Sequence, residues 1–433
     1  MGMNENQPVD EHENPSSCSD CERTHSPVSR RALMRKGGAL AAASLLLPTL
    51  MRKARGAAHP DEEKMLVVFL RGGADFMNMC VPYGEDAYHA ARPQLRVGRP
   101  DETGCKVNAL DLDGFFGMHP FMAPLMPIYQ AGDLAFVHAV GSTDETRSHF
   151  SAMNLMQRGR QALGDGSGWL ARHLRSRDNE NDSALRAVTT SPLVPPFLNG
   201  ARTTAVHDVA EIGLEANTER AADLRPLLEV MYNDVEDGLQ QEANDTFEAL
   251  DALANLGDGG GSGAGYLESK LGKSFETVAR LFKEDVGTEV ACIDVYGWDT
   301  HAVQGLDEGI QPGLITDLCT NLAAFHGDLG NVWEHTTVVV LSEFGRRLRE
   351  NGAVGTDHGK GNALMLLGGR VIGGQVYADW PGLEDVDLVG PGDMAVTLDY
   401  RDVLAEILRK RMLNDRMDLV FPGHVVREVG LLE

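Results

Sequence analysis

Long apolar runs are what this 433-residue chain lacks once its first fifty residues are past. No later stretch approaches the roughly 20 consecutive apolar residues that a membrane span needs, so no transmembrane segment is expected there. Basic side chains are scarce as well: 39 Lys and Arg face 64 Asp and Glu, a formal net charge of −25. Residues 1–58 hold 8 basic and 6 acidic side chains, which leaves 31 against 58 in the remainder, a net −27. Such a surface repels nucleic acid and anionic lipid and keeps a protein soluble. Nucleic acid is therefore not an expected partner, and a polyanionic substrate would need a local basic or metal site to overcome the field. Cysteine is sparse, six in all, which excludes a disulfide-dense scaffold. Cys18-Ser19-Asp20-Cys21 has no partner pair downstream and is not read as a zinc site. Cys292 in an apolar run and Cys319 on a helix face read as buried free thiols. One bridge, Cys80 to Cys105, is open in an oxidising compartment.

What is present begins with an export signal. Ser29-Arg30-Arg31-Ala32-Leu33-Met34-Arg35-Lys36 sets paired arginines ahead of an Ala- and Leu-rich run at 37–51, interrupted by Pro48. That run is too short for a span and suits a signal h-region. Arg52, Lys53 and Arg55 follow, then Gly56-Ala57-Ala58, a small-residue stretch suited to signal peptidase. Basic residues beyond an h-region hinder the general secretion route and favour the twin-arginine one. Residues 1–58 are thus expected to be a disordered leader plus signal, with the twin-arginine translocase as partner during export. Residues 59–433 would then work in the periplasm or outside the cell. An uncleaved signal acting as an anchor is the alternative, and a short basic helix the plainer reading.

Strand-length apolar runs recur at 65–70, 134–140, 289–295, 336–341 and 363–367. Continuous rather than alternating apolarity marks strands covered on both faces, as in a mostly parallel sheet. Helical stretches are expected at 226–256, 266–283, 313–329 and 400–411, with a weaker one at 120–131, where Pro124 and Pro127 would kink it. The fold class is therefore α/β: a mostly parallel central sheet with helices on both faces. Residues 208–282 read as a helical insertion between central strands.

The polar residues gather where those apolar runs stop. The first run leads into Arg71-Gly72-Gly73-Ala74-Asp75-Phe76-Met77-Asn78, and the second through Gly141 to Arg147-Ser148-His149-Phe150. The third ends in Gly297-Trp298-Asp299-Thr300-His301, the fourth in Ser342-Glu343-Phe344-Gly345-Arg346-Arg347. A last cluster, Gly355-Thr356-Asp357-His358-Gly359-Lys360-Gly361, immediately precedes the fifth run. In an open parallel sheet the carboxyl ends of strands share one crevice, where ligands bind.

Carboxylates and imidazoles without thiolate are hard and borderline metal ligands. Asp75, Asp299, His301, Glu343, Asp357 and His358 are the candidates to hold a divalent ion, with zinc, manganese or calcium in view. Asp299 and His301 stand two apart, so extended backbone points both the same way. Asp357 adjoins His358, so a regular strand would face only one inward; His358 is the expected ligand and Asp357 a ligand or an imidazole's partner. The paired glycines before Asp75 let backbone approach an ion or anion closely. An unpaired Glu343 at the end of a buried strand would be costly. Ser148, at a helix start, is a candidate nucleophile and His149 a ligand or general acid/base. Asn78 and Arg346 are the candidates for holding substrate.

Each has a plainer reading. Asp75 and Ser148 suit helix caps, and Asp299 and His301 an ordinary turn. Glu343 suits an ion pair with Arg346 or Arg347. His119 and His138 read as structural histidines, and Met118, Met122 and Met126 as core packing.

Taken together, these blocks resemble a family of exported bacterial proteins known as domain of unknown function 1501. The matching stretches are VVFLRGGADFMNMCVPY from Val67, Ser148 to Phe150, Gly297 to His301, SEFGRRLRENGAVGTDHGKG from Ser342, GGQVYADWPGL from Gly373 and DYRDVLAEIL from Asp399. That family is similar in turn to the alkaline phosphatase-like superfamily of phosphatases, sulfatases and phosphodiesterases. The resemblance implies Asp75 as the metal-binding Asp after the first strand and Ser148 as the nucleophile. It implies Asp299 and His301 as ligands of one metal site, Glu343 where an Asp precedes a His, and His358 as the late His. Two departures stand out: Phe344 replaces that His, and the spacing from Asp299 to His301 is short. The expected function is a metal-dependent hydrolase or transferase acting on phosphate or sulfate esters, small-molecule or polymeric. The alternative is a non-catalytic binding or assembly factor for exported polymers or surface components.

Overall fold

The structure is a computed structural model describing residues 62–160, 165–177, 181–207, 218–233, 238–254, 256, 263–284 and 286–433. The leader, with its paired arginines and Cys18 and Cys21, lies outside the described residues, as do parts of the stretch at 208–282. Among the described residues no helix is long and apolar enough to cross a membrane.

One sheet organises the chain. From edge to edge its strands are β13 (Gln375–Tyr377), β5 (Leu134–Gly141), β12 (Asn362–Gly368), β9 (Thr336–Ser342), β1 (Lys64–Leu70), β8 (Val290–Val295), β6 (Ala187–Thr189) and β7 (Thr204–Ala205). A ninth strand, β14 (Leu398–Asp399), also pairs with β5. β8 and β9 flank β1 in parallel, and β6 and β7 continue in the same sense. Only β12 runs the other way, antiparallel to both β5 and β9.

Every residue of β1, β5, β9 and β12 is buried, as continuous apolarity predicts for strands covered twice. β1 sends Leu66, Val68 and Leu70 into one core and Met65, Val67 and Phe69 into the other. The first core is closed by Phe275 and Val278 of a helix at Lys270–Lys283 and by Ile315 and Phe325 of one at Ile310–Leu329. The second is closed by Trp169 and by Val403, Leu404 and Ile407 of the helix at Tyr400–Lys410. Two small sheets lie outside: β2 (Cys80–Val81), β4 (Gly117–Met118) and β3 (Leu110–Asp111), and the hairpin of β10 (Arg346–Glu350) with β11 (Thr356–His358).

Three expectations shift. The stretch at 226–256 is two helices, Thr218–Asn233 and Gly238–Ala254. The helix expected from 266 starts at Lys270, because the Ser269 hydroxyl accepts from Gly272 N–H at 2.9 Å and caps it there. The proline-bearing stretch begins as a 3₁₀ turn, Pro120–Leu125, before α-helix at Met126–Ala131. Cys80 and Cys105 are free, which corrects the suggested bridge: Cys80 is fully buried on β2, whereas Cys105 packs in a loop against Gly98.

Met118 and Met122 are fully buried, and Met126 packs against the same core. His138 is buried too, 3.1 Å from the Cys80 carbonyl. Burial pushes its pKa down to about 4.

Candidate metal centre

The reversal of β12 creates the site. Its amino end lies at the same sheet edge as the carboxyl ends of β1, β5, β8 and β9. The segment before β12, carrying Asp357 and His358, therefore meets the segments that come after the other strands.

Close backbone packing holds these segments. Gly72, at φ +119°, turns the chain after β1, and a Cβ there would stand 2.5 Å from Asp299 N. The glycine lets the Asp299 loop approach, rather than an ion. Gly355 has the same role on the far side, where a Cβ would fall 2.3 Å from the His301 carbonyl carbon. Arg346, buried, threads between them. It donates to the carbonyls of Gly73 (2.6 Å), Thr356 (2.7 Å), Gly72 (2.5 Å) and Trp298 (3.1 Å), and to Asp299 Oδ1 at 2.8 Å.

Three imidazoles converge here, each held by its Nδ1. His149 opens the helix α1 (His149–Arg158), with Nδ1 2.7 Å from Glu343 Oε1. His301 Nδ1 lies 3.1 Å from Asp357 Oδ1, and His358 Nδ1 lies 2.8 Å from the Arg147 carbonyl. Carboxylates and carbonyls only accept, so each Nδ1 carries a proton and donates it. Each neutral ring then turns an Nε2 lone pair toward one oxygen. Asp299 Oδ1 lies 3.4 Å from the Nε2 of His149, 3.2 Å from that of His301 and 3.2 Å from that of His358.

That arrangement calls for a cation. The Nε2 atoms of His301 and His358 are 2.8 Å apart, and two lone pairs so placed repel unless a proton or a metal ion lies between them. His149 Nε2 is buried without a hydrogen bond. Donor atoms about 2.0–2.1 Å from a tetrahedral zinc stand about 3.3 Å from one another, close to the separations around Asp299. Ligand atoms of His149, Asp299 and His358 all lie within 4.8 Å of one another, so the residues fit a divalent ion.

Charge supports the geometry. Burial opposes ionisation of Asp299, but the hydrogen bond and charge of Arg346 hold its carboxyl below the usual carboxylate range, the more so when His358 carries a second ring proton. Burial also opposes ionisation of Glu343, and the His149 bond with backbone N–H groups of Gly72 and Gly73 outweighs it, holding the carboxyl low. Asp357 is held low chiefly by the Asn351 hydrogen bond. The Glu343 bond pushes His149 up, whereas burial pushes His358 down and favours its neutral ring.

Several expected roles are corrected. Asp75 does not join this cluster: its two oxygens take Arg92 at 2.6 and 3.0 Å, and Gln304 adds a third bond at 2.8 Å. Both side chains of that ion pair are fully buried. Asn78 is buried beside them, bonded to the Leu95 carbonyl, Tyr88 and Arg92. Glu343 stands behind His149 as an acceptor rather than a ligand, and Asp357 stands behind His301 as an imidazole's partner, one of its two expected roles. Arg346 spends its N–H groups on backbone and Asp299, so it positions a carboxylate rather than a substrate. Ser148 is exposed and makes no side-chain cap bond, leaving its hydroxyl uncommitted beside His149.

Sequence reasoning missed Arg92 and Gln304, which neutralise and tie down Asp75, and the Arg147 carbonyl behind His358. It also missed Asn351, which donates to Asp357 Oδ1 at 3.0 Å and to the His301 carbonyl at 2.9 Å. Arg92 and Gln304 stand outside the motif blocks; Arg147 and Asn351 stand inside them but were not read as partners.

The family described as "Protein of unknown function (DUF1501)" matches residues 62–429. No curated protein matches the chain. Among solved structures, the C-terminal periplasmic domain of EptC from Escherichia coli, in complex with Zn, aligns at 10% identity and TM-score 0.28, covering 71% of this chain and 73% of that one. The lipoteichoic acid synthase LtaP from Listeria monocytogenes aligns at 10% identity and TM-score 0.29, covering 85% and 74%. The chain belongs to the DUF1501 family.

Proposed function

We propose that this DUF1501 chain is an exported, metal-dependent hydrolase or transferase acting on phosphate or sulfate esters. One observation carries the reading: three imidazoles, each oriented through Nδ1, turn their Nε2 lone pairs on one carboxylate oxygen. An oxygen acceptor behind a ligating imidazole fixes its tautomer and raises its basicity.

His149, Asp299 and His358 would hold the ion, with His301 as a fourth ligand or a proton carrier beside it. Three nitrogen donors and a carboxylate suit zinc first and manganese next; calcium, which takes six to eight oxygens, suits them poorly. When bound, the ion would polarise an ester oxygen and lower the pKa of a coordinated water or hydroxyl. Glu343 and Asp357 keep two rings in register, and Arg346 keeps Asp299 in place. Ser148 offers an exposed hydroxyl at the first turn of α1, where N–H groups and the helix dipole favour a developing oxyanion. Twin-arginine export and action beyond the inner membrane belong to the same proposal.

A second reading, a non-catalytic binding or assembly factor, draws on two features. Phe344 packs its ring 4.9 Å from His149 and 4.7 Å from His358, where the superfamily resemblance implies another imidazole. Asp75 is closed off by Arg92. Metal analysis of the purified protein, followed by assays on aryl phosphate and aryl sulfate esters, separates the two. Bound metal with turnover that chelation abolishes and zinc restores is the expected result. Ser148→Ala should then lower turnover by at least about 100-fold, the scale of general catalytic groups, without loss of metal. Stoichiometric metal with no turnover of any ester would favour the binding factor, and protein that takes up no metal would end the enzymatic reading.

A further inference from the structure

Gln304 lies three residues beyond His301 and is fully buried. A buried carboxamide has two donors and room for two acceptors' worth of bonding at its oxygen, and here every one is used. Oε1 accepts from the hydroxyl of Thr300 at 2.9 Å and from that of Thr356 at 2.7 Å. Nε2 donates to Asp75 Oδ2 at 2.8 Å and to Gln311 Oε1 at 2.6 Å.

The two threonines matter because each adjoins a residue of the metal centre. Thr300 immediately precedes His301, and Thr356 immediately precedes Asp357 and His358. Their backbones are joined as well, Thr356 N–H donating to the Thr300 carbonyl at 3.1 Å and Gln304 N–H to the Val354 carbonyl at 2.9 Å. One carboxamide oxygen thus draws together the two segments that carry His301 and His358. Its nitrogen anchors the pair to Asp75, itself locked by Arg92.

We infer that Gln304 is the positioning residue that sets His301 against His358, and with them the geometry of the ion these rings would hold. The Asp75–Arg92 pair is the fixed post to which Gln304 is tied. This inference rests on the metal centre of the proposed function but not on catalysis.

Cobalt(II) binding tests it, with affinity measured by chelator competition and geometry by visible absorption. Gln304→Met keeps the shape and removes all four bonds. Cobalt should bind about 10–100-fold more weakly, the usual cost of losing a residue that orients ligands, and the absorption bands should shift. In the metal-free protein, amide exchange should quicken over residues 299–304 and 354–358 and stay unchanged in the helix at Tyr400–Lys410. Folded Gln304→Met with wild-type affinity and spectrum overturns the inference. If that variant does not fold, Thr300→Val with Thr356→Val removes only the two hydroxyls that donate to Gln304 Oε1 and leaves the Asp75–Arg92 pair intact. Cobalt should again bind more weakly with shifted bands, and a folded double variant with wild-type affinity and spectrum also overturns the inference. Wild-type protein that binds cobalt but cleaves no ester removes the catalytic reading and leaves Gln304 in place. Wild-type protein that binds no cobalt removes both.

Discussion

β8 has an acidic side chain just beyond each of its ends, and the two have opposite surroundings. At the amino end, Glu289 is buried against Arg177 at 2.5 Å and Arg186 at 2.8 Å, with His173 at 3.5 Å. Burial would raise its pKa, but the His173 bond and the two arginine charges hold it well below the carboxylate range. At the carboxyl end, Asp299 is about half exposed and faces three imidazole nitrogens and one guanidinium. Guanidinium only donates and stays charged, so Glu289 is balanced by two fixed cations. Imidazole nitrogens can take a proton or a metal, so the Asp299 cluster is completed by what binds there. Equal acidity serves cohesion at one end and, in the proposed function, chemistry at the other.

The largest effect should fall at the amino end. Glu289→Ala leaves two part-buried guanidinium groups without their carboxylate and should cost about 3 kcal/mol of stability, the low end for a buried pair because water still reaches both cations, read by denaturant unfolding, with metal content unchanged. A loss below about 1 kcal/mol, the scale of a surface pair, would erase the contrast.

At the carboxyl end, Asp299→Ala and His358→Ala should each release the metal, weakening affinity beyond the roughly 100-fold that outer residues command. Metal analysis of both purified variants checks this, and a variant that keeps full metal content would show that the two do not share a site.

Glu343→Gln comes next, with metal affinity about 10–100-fold weaker. Its pH dependence has a definite sign. Glu343 raises the His149 pKa above 6.5, and a metal must displace the second ring proton. Wild-type affinity should therefore fall as pH drops through that raised value, and in Glu343→Gln the midpoint should move down toward 6.5. Chelator competition across pH reads both, and an unmoved midpoint would mean that Glu343 does not govern His149.

The smallest effect is expected from Phe344→His. It supplies the imidazole that the superfamily resemblance calls for, yet Asp75 stays bound to Arg92. Metal content should remain at one ion per chain. Two ions would show that the guanidinium can be displaced.

Much of the fold was legible because continuous apolar runs admit few arrangements. The five runs read as strands are strands, displaced by a residue or two at their ends. Polar clusters at their ends located His149, Asp299, His301 and His358, since only a shared sheet edge explains such placement. Individual roles were less legible. Asp75, in the most motif-like segment of all, is engaged by an arginine 17 residues away in the chain. Glu343 ends a buried strand as expected, but its partner is His149 rather than a neighbouring arginine.

Composition and periodicity alone determined a two-face-covered α/β sheet, its strand positions, and the edge where polar residues would collect. These follow from local chemistry, because burial of a strand is written into consecutive side chains. Tertiary structure decided that β12 runs backward, that Arg92 and Gln304 close on Asp75, and that three Nε2 atoms face one oxygen. Those outcomes depend on differences of a few tenths of an ångström in the distances between residues as far as 229 positions apart, such as Asp75 and Gln304. Hydrogen-bond partners are chosen by such distances, and no stretch of sequence carries them.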